Sequence, residues 1–287
     1  WIFSWLSLAY LDWLLAAFWL AMILCVVAAA VFPSLRTFTD HGKLLSERPH
    51  RFTLAKSWFS HFYAFASGLN AILLSGAVIC GLSSNLLFVD GVLPHLAFQL
   101  HVGRRLYECV YVNITGRGSM HLVAYAFGFC YYVAATLSIA AVWLPRAFSP
   151  VPSQESRSST ADYAHCRRML AAALFALGSL HQNRCHRILA ELRPVRLGNR
   201  HSAEAASYKI PHGDWFELVT APHYLSEVLI YGALWICQGS DAGMSMPLML
   251  LFVMVNLSFT AYHSHHWYRE KFEDYPKQRR IIVPFLF

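Results

Sequence analysis

The chain has 287 residues, of which 56% are apolar and only 14% charged, with a formal net charge of +7. Soluble domains carry about 25% charged residues, so this balance, with a mean hydropathy of +0.40, excludes an ordinary water-soluble fold and points to repeated membrane crossings. Seven cysteines, at 25, 80, 109, 130, 166, 185 and 237, show no CxxC spacing and lie largely in apolar runs, which excludes a disulfide framework and a zinc knuckle. The basic residues fall in loops between apolar segments, where they orient a membrane protein rather than form a nucleic-acid face.

A helix rising about 1.5 Å per residue needs about 20 apolar residues to cross the hydrocarbon core. Trp1–Phe32 meets that length and lacks the small-residue cleavage site of a signal peptide, so it reads as the first membrane helix. Segments near 58–82, 119–144, 215–237 and 245–267 also qualify. Two weaker segments complete the set. Leu86–Val112 is interrupted by Asp90, Pro94, His95, His101, Arg104, Arg105 and Glu108, and Met169–Leu180 is short before Asn183-Arg-Cys-His-Arg187. Both are apolar enough to lie inside a bundle and too polar to face lipid. The prediction is an all-α polytopic membrane bundle of about seven transmembrane helices.

Charge placement agrees with that count. Loops 33–57, 182–214 and 269–287 hold five, six and five Lys or Arg, whereas 83–90 and 238–246 hold none and 145–163 holds two. The positive-inside rule then places the closing segment in the cytosol and the opening one on the luminal side. The Ser- and Pro-rich linker 145–162 reads as a non-cytosolic loop. No repeat or composition break divides the chain, so residues 1–287 are expected to form a single domain.

Ionisable groups near the cytosolic helix ends carry the functional signal, because a central Arg or Asp costs about 3 kcal/mol to insert. On the third segment His101, Arg104, Arg105 and Glu108 share one helical face. Gln182, His186 and Arg193 share another if the fifth helix runs on into the cytosol. His223 and Glu227 lie one turn apart on the sixth. On the seventh, Asn256 faces with His263, and His265 pairs with Tyr268. With Tyr63, Tyr208 and Tyr275 interleaved, these patches predict a cytosolic-side cofactor cavity, suited to a lipid beneath a phosphate-bearing group. The competing account is that such groups only anchor helix ends and pair with Glu108, Glu227 and Asp274.

Other chemistries lack their motifs. No GxGxxG or GxxxxGKS/T follows a strand, and no GxSxG elbow is present. The 15 histidines include one irregular cluster, His263, His265 and His266, and the pair His181 and His186. These are too few boxes for a membrane di-iron centre, so no metal is expected. Ile281–Phe287 is mostly large and apolar, unlike a frayed segment, and is expected to pack back on the bundle as a lid over the cofactor.

Arg269–Phe287, with Glu270-Lys-Phe-Glu-Asp-Tyr-Pro-Lys-Gln-Arg-Arg280 and Pro284-Phe-Leu-Phe287, resembles the closing signature of the steroid 5α-reductase family. Leu100-His-Val-Gly-Arg-Arg105, Ile188-Leu-Ala-Glu-Leu-Arg193 and Tyr208-Lys-Ile-Pro-His-Gly-Asp-Trp-Phe-Glu217 extend the likeness. Lys56-Ser-Trp-Phe-Ser-His-Phe-Tyr63, Arg104-Arg-Leu-Tyr-Glu-Cys-Val-Tyr111 and His181-Gln-Asn-Arg-Cys-His186 are similar to its polyprenol reductase branch. The resemblance implies a multi-pass enzyme of the endoplasmic-reticulum membrane that uses NADPH to saturate a double bond conjugated to a carbonyl. Its substrate would be a long-chain isoprenoid, polyprenol or polyprenal, giving dolichol or dolichal for protein N-glycosylation, with no obligate protein partner and no nucleic acid.

Carried over by position, the resemblance places cofactor contacts on Arg105, Gln182, His186, Arg193, Tyr208, His223, Glu227, His265 and Tyr268, with Lys43 a further phosphate candidate. Steroid-reducing members have a glutamate and a tyrosine near the substrate carbonyl. The matching positions here are Phe62 and Val102, so His61, Tyr63 and His101 become the candidates for polarising it. Steroid 5α-reduction is the alternative, followed by an S-adenosylmethionine-dependent methyltransferase or a lipid transporter. Hydride adds readily to an alkene only where the developing charge delocalises, and an allylic alcohol offers no such sink. The aldehyde is therefore the expected direct acceptor, with a hydrogen-bond donor holding its oxygen as an oxyanion hole does.

Overall fold

The computed structural model describes residues 10–32, 34–35, 52–81, 88–112, 119–148, 159–192, 208–239 and 242–286. Seven long helices occur among them: α1 Leu11–Val31, α2 Phe59–Gly81, α3 Leu93–Tyr107, α4 Leu122–Ala140, α5 Ser159–Glu191, α6 Pro222–Gln238 and α7 Ser245–Lys271. Each answers to one of the expected segments. The largest difference is α5, which has 33 residues: it takes in the end of the Ser-rich linker and runs unbroken through Asn183–Arg187. The chain is also not wholly helical. β1 Thr53–Ala55 pairs antiparallel with β2 Ser119–His121, Thr53 opposite His121, and ties the approaches to α2 and α4 together.

Four helices, α1, α2, α4 and α7, are long and apolar enough to cross a membrane by length and composition. Trp13, Leu14, Leu24, Ile72 and Ile79 stand exposed on the first two, the outward apolar surface that lipid requires. The molecule is a helical membrane protein.

Lipid is as apolar as the bundle interior, so packing and hydrogen bonds hold such helices together. Trp19 of α1 is fully buried; its ring packs against Tyr131 and Phe252 at centroid distances of 5.6 and 5.5 Å, and its Nε1 donates to Ser138 of α4 over 3.0 Å. At the far end of α1, Asp12 accepts the Met244 and Ser245 N–H groups at 2.8 and 3.0 Å. A carboxylate there satisfies two of the donors that every helix start leaves open and complements its dipole, so α1 caps α7.

Helices α5 and α6 approach closely because Gly178 has no side chain: a Cβ there would lie 2.9 Å from the Ser226 carbonyl oxygen. Gly178→Leu is therefore expected to lower stability by about 1–3 kcal/mol through overpacking, read as a lower melting temperature in detergent. An unchanged melting curve would contradict the close approach. Between α2 and α3 a polar ladder replaces apolar contact. Asn70 Nδ2 donates to Gln99 Oε1 at 2.8 Å, Gln99 Nε2 to Ser67 at 2.7 Å, and His95 Nδ1 lies 2.7 Å from Asn70 Oδ1.

Candidate active site

The end of α3 does not stop cleanly. Its last turn widens into a π turn, Glu108–Val112, where the Glu108 N–H is shared by the carbonyls of Arg104 and Arg105. Such turns re-aim side chains and recur at functional sites. Glu108 itself keeps α-helical dihedrals, φ −61° and ψ −39°, on the face of His101, Arg104 and Arg105, and its side chain is completely buried. Arg104 Nη1 and Asn183 Nδ2 donate to its Oε1 at 2.6 and 2.8 Å. Arg105 Nη1 donates to Oε2, which also lies 2.7 Å from His186 Nδ1. That imidazole nitrogen is 2.7 Å from Arg105 Nη1 as well, so it either donates to Glu108 or accepts from Arg105.

Arg105 also turns to α2. Its Nε and Nη2 both donate to the Tyr63 hydroxyl, at 3.3 and 3.1 Å. Two N–H groups on one phenol oxygen occupy its acceptor sites and leave its O–H as a donor. Arg104 reaches the other way: its Nη2 donates to Gln182 Oε1 at 2.5 Å. The Gln182 amide nitrogen donates to Glu227 and to the His223 carbonyl at 3.2 Å. His101, fully buried, has Nε2 3.2 Å from Glu227 Oε1, within ion-pairing range but outside hydrogen-bond geometry. Two guanidinium groups thus meet two carboxylates, with imidazole, carboxamide and phenol groups between them, where α2 and α6 begin and α3 and α5 end.

A second group sits at the same end. Thr220 Oγ1 donates to the Arg280 carbonyl at 3.2 Å, which leaves it to accept from Tyr275 at 2.7 Å and from His265 Nδ1 at 2.6 Å. That assignment puts the His265 proton on Nδ1 and leaves Nε2 with a free lone pair in the neutral ring. Tyr268 stacks on Tyr275, with centroids 5.5 Å apart and an interplanar angle of 15°. Thr220 lies three residues before His223, at most about 10 Å along the chain, so α6 begins between the two groups.

The segment after α7 is held by its middle. Arg280 and Val219 form a parallel bridge, with Thr220 N and Ala221 N donating to the carbonyls of Arg280 and Ile281 at 2.8 and 3.2 Å. Arg279 is buried and donates to the Pro211 carbonyl at 2.8 Å. It also approaches Glu217 at 3.6 Å, whose carboxylate the Gly213 N–H holds below its ordinary pKa range. The expected lid forms only in part: Ile281, Ile282 and Val283 pack on the bundle, whereas Phe285 and Leu286 are 80% and 82% exposed. Phe287 lies outside the described residues.

Of the expected site residues, Tyr63, His101, Arg105, Gln182, His186 and Glu227 come together in one cluster. His223 joins it through its carbonyl and its ring, 5.7 Å from that of His186. His265 and Tyr268 belong to the second group. His61 does not join: it is exposed, bonded to Tyr125 over 3.0 Å. Tyr208 is also apart, half exposed with its ring 4.9 Å from Trp267. Lys43 and Arg193 lie outside the described residues. Glu108 and Tyr275, which the sequence placed among the polar patches but not among the cofactor contacts, are members as well, and Asn183 and Thr220 are members that no helical face singled out.

A helical membrane protein with a charge-balanced polar cluster at one end of its bundle is the class these elements define. The chain belongs to the steroid 5α-reductase family: residues 119–287 match the family model described as 3-oxo-5-alpha-steroid 4-dehydrogenase. It is 30% identical to polyprenal reductase 1 of Arabidopsis thaliana over 96% of this chain and 98% of that protein. It is 32% identical to the polyprenal reductase of Homo sapiens over 96% of this chain and 93% of that protein. With polyprenal reductase 1 of Oryza sativa subsp. indica the identity is 37%, over 67% of this chain and 57% of that protein.

Proposed function

We propose that the protein reduces the α-isoprene double bond of polyprenal, yielding dolichal. The observation that carries this reading is the Tyr63 hydroxyl, oriented as a donor by Arg105 beside a cluster of cofactor-type donors and acceptors. The names of its relatives support the substrate. The donor set fits NADPH: arginine N–H groups for phosphate and Glu227 as an acceptor for amide or hydroxyl. Gln182, His186, His223, Glu227, His265 and Tyr268 would hold it, with Arg105 adding positive charge and Tyr208, Lys43 and Arg193 as further contacts. When bound, NADPH supplies the hydride that the β-carbon of the conjugated aldehyde accepts.

The chain's own contribution is charge and proton placement. Tyr63 donates to the aldehyde oxygen and stabilises the enolate charge that develops there. Arg105 strengthens that donor by saturating its acceptor sites. His101, 3.2 Å from Glu227, is the expected source of the proton for the α-carbon. Phe62 stands where steroid-reducing members have an acid, and it is buried among Phe59, Tyr125, Phe129 and Tyr132. The absence of an acid at that position weighs against a steroid as substrate. The full topology in this reading is seven crossings in one domain of the endoplasmic-reticulum membrane, polar end in the cytosol, N-terminus luminal.

Purified protein given polyprenal and NADPH is expected to return dolichal, the product with two added hydrogens; recovery of unchanged polyprenal would contradict the reading. His265→Ala and Tyr268→Ala are each expected to weaken NADPH binding, measured directly by fluorescence titration, while the protein still inserts. Binding at the unmodified affinity in both variants would remove these residues from the cofactor site.

A further inference from the structure

The two most exposed apolar side chains in the segment after α7 have no place in the site. Phe285 and Leu286 project at 80% and 82% exposure, while Ile282, three residues earlier, is buried at 3%. Their depth is fixed by what Ile282 touches. It packs with Ala221 and Ala261 in one small cluster, which Leu257, Ile281 and Val283 join. Ala261 lies ten residues before the end of α7 at Lys271, and ten residues of helix span about 15 Å. The segment therefore leaves α7 at its polar end and doubles back alongside the helix, bringing Ile282 level with Ala221 at the start of α6.

The surroundings of that tip are those of a bilayer boundary. Tyr262, exposed at this depth, starts an apolar stripe that Met254 and Leu251 continue along α7, about 16 Å further along the helix at Leu251. Leu218, 40% exposed, lies beside the tip's own strand, because its carbonyl accepts the Arg280 N–H at 3.0 Å. On the polar side of the tip, Arg269, Lys271, Lys277 and Arg280 are exposed together with Glu270, Glu273 and Asp274, a mixed and slightly cationic rim beside an apolar insertion, as an interfacial segment carries. We propose that Phe285 and Leu286 are embedded in the leaflet next to the polar cluster, so that residues 272–286 form a strap fastened to protein by Tyr275, Arg279 and Ile282 and to lipid at its tip. Through Tyr275 and Thr220 the same strap orients His265. The inference does not depend on which reaction the protein catalyses.

The test replaces Phe285 by the photoreactive p-benzoylphenylalanine in the full chain, reconstituted in nanodiscs containing phosphatidylcholine and phosphatidylserine. Irradiation followed by mass spectrometry is expected to find a phospholipid adduct at position 285, and none when the exposed Gln278 carries the same group. A cross-link to a second copy, a cross-link back to the bundle, or an adduct yield no higher than at position 278 would overturn the proposal. A second measurement reads the strap itself. Phe285→Glu combined with Leu286→Glu is expected to speed tryptic cleavage after Lys277 and Arg280 several-fold, with helix content unchanged by circular dichroism. Cleavage at the unmodified rate would show that lipid does not hold the segment.

Discussion

Tyr63→Phe is expected to lower kcat about 10²–10³-fold, the cost of one oxyanion-hole donor, while NADPH binding stays within a few-fold. The substitution keeps the ring and its edge contact with Tyr132, 5.6 Å between centroids, and removes only the hydroxyl. Its loss leaves Arg105 Nε and Nη2 without their acceptor, so stability should also fall, by about 1–3 kcal/mol. The two effects separate experimentally. Single-turnover kinetics at saturating NADPH reads the chemical step on protein that remains folded, and thermal unfolding reads the other. His61→Ala is the contrast: His61 points away to Tyr125, so single-turnover rates should stay near those of the unmodified protein. A reversed pattern, with His61→Ala inactive and Tyr63→Phe active, would move the donor to the other face of α2.

The second large effect falls on Glu108, a residue that touches no substrate in this account. Glu108→Ala removes the carboxylate shared by Arg104, Arg105, Asn183 and His186 and leaves two part-buried guanidinium groups with Glu227 as the remaining carboxylate of the cluster. Breaking a buried ion pair from one side costs about 3–5 kcal/mol, against a total stability of about 5–15 kcal/mol. The variant should lose most of its folded, monodisperse fraction on size-exclusion chromatography in detergent. Glu108→Gln retains one acceptor oxygen and the shape of the side chain, and should recover part of that fraction. If Glu108→Ala elutes and melts as the unmodified protein does, Glu108 is not the hub of the cluster.

Helix number and helix faces were legible from sequence because both follow from spacing. Gln182 and His186 are one turn apart on α5, as are His223 and Glu227 on α6, and those faces do meet. What spacing does not encode is which neighbour a face meets. His61 and Tyr63, two residues apart at the start of α2, lie on different sides of it, and only Tyr63 faces Arg105. Glu108 shares the face of His101, Arg104 and Arg105, so its direction follows from periodicity; that it meets Asn183 and His186 of α5 does not. Thr220 and Tyr275 are joined through backbone pairing of two non-helical segments, a relation with no pattern in the chain. The apolar closing residues were read as packing against protein, but a hydrophobic side chain carries no label that distinguishes a protein partner from lipid. The run of α5 through Asn183–Arg187 is what the shared face of Gln182 and His186 requires, whereas its start at Ser159, inside a Ser-rich stretch that reads as a loop, has no signal in the spacing.

The central claim is that an aldehyde, held by Tyr63, is the acceptor. Its most direct test follows NADPH oxidation by the purified protein with polyprenal, polyprenol and a 3-oxo-4-ene steroid offered separately. Oxidation with polyprenal, and none above background with pure polyprenol or with the steroid, is the predicted result. Efficient oxidation with polyprenol while no aldehyde forms, or faster oxidation with the steroid than with polyprenal, would contradict it.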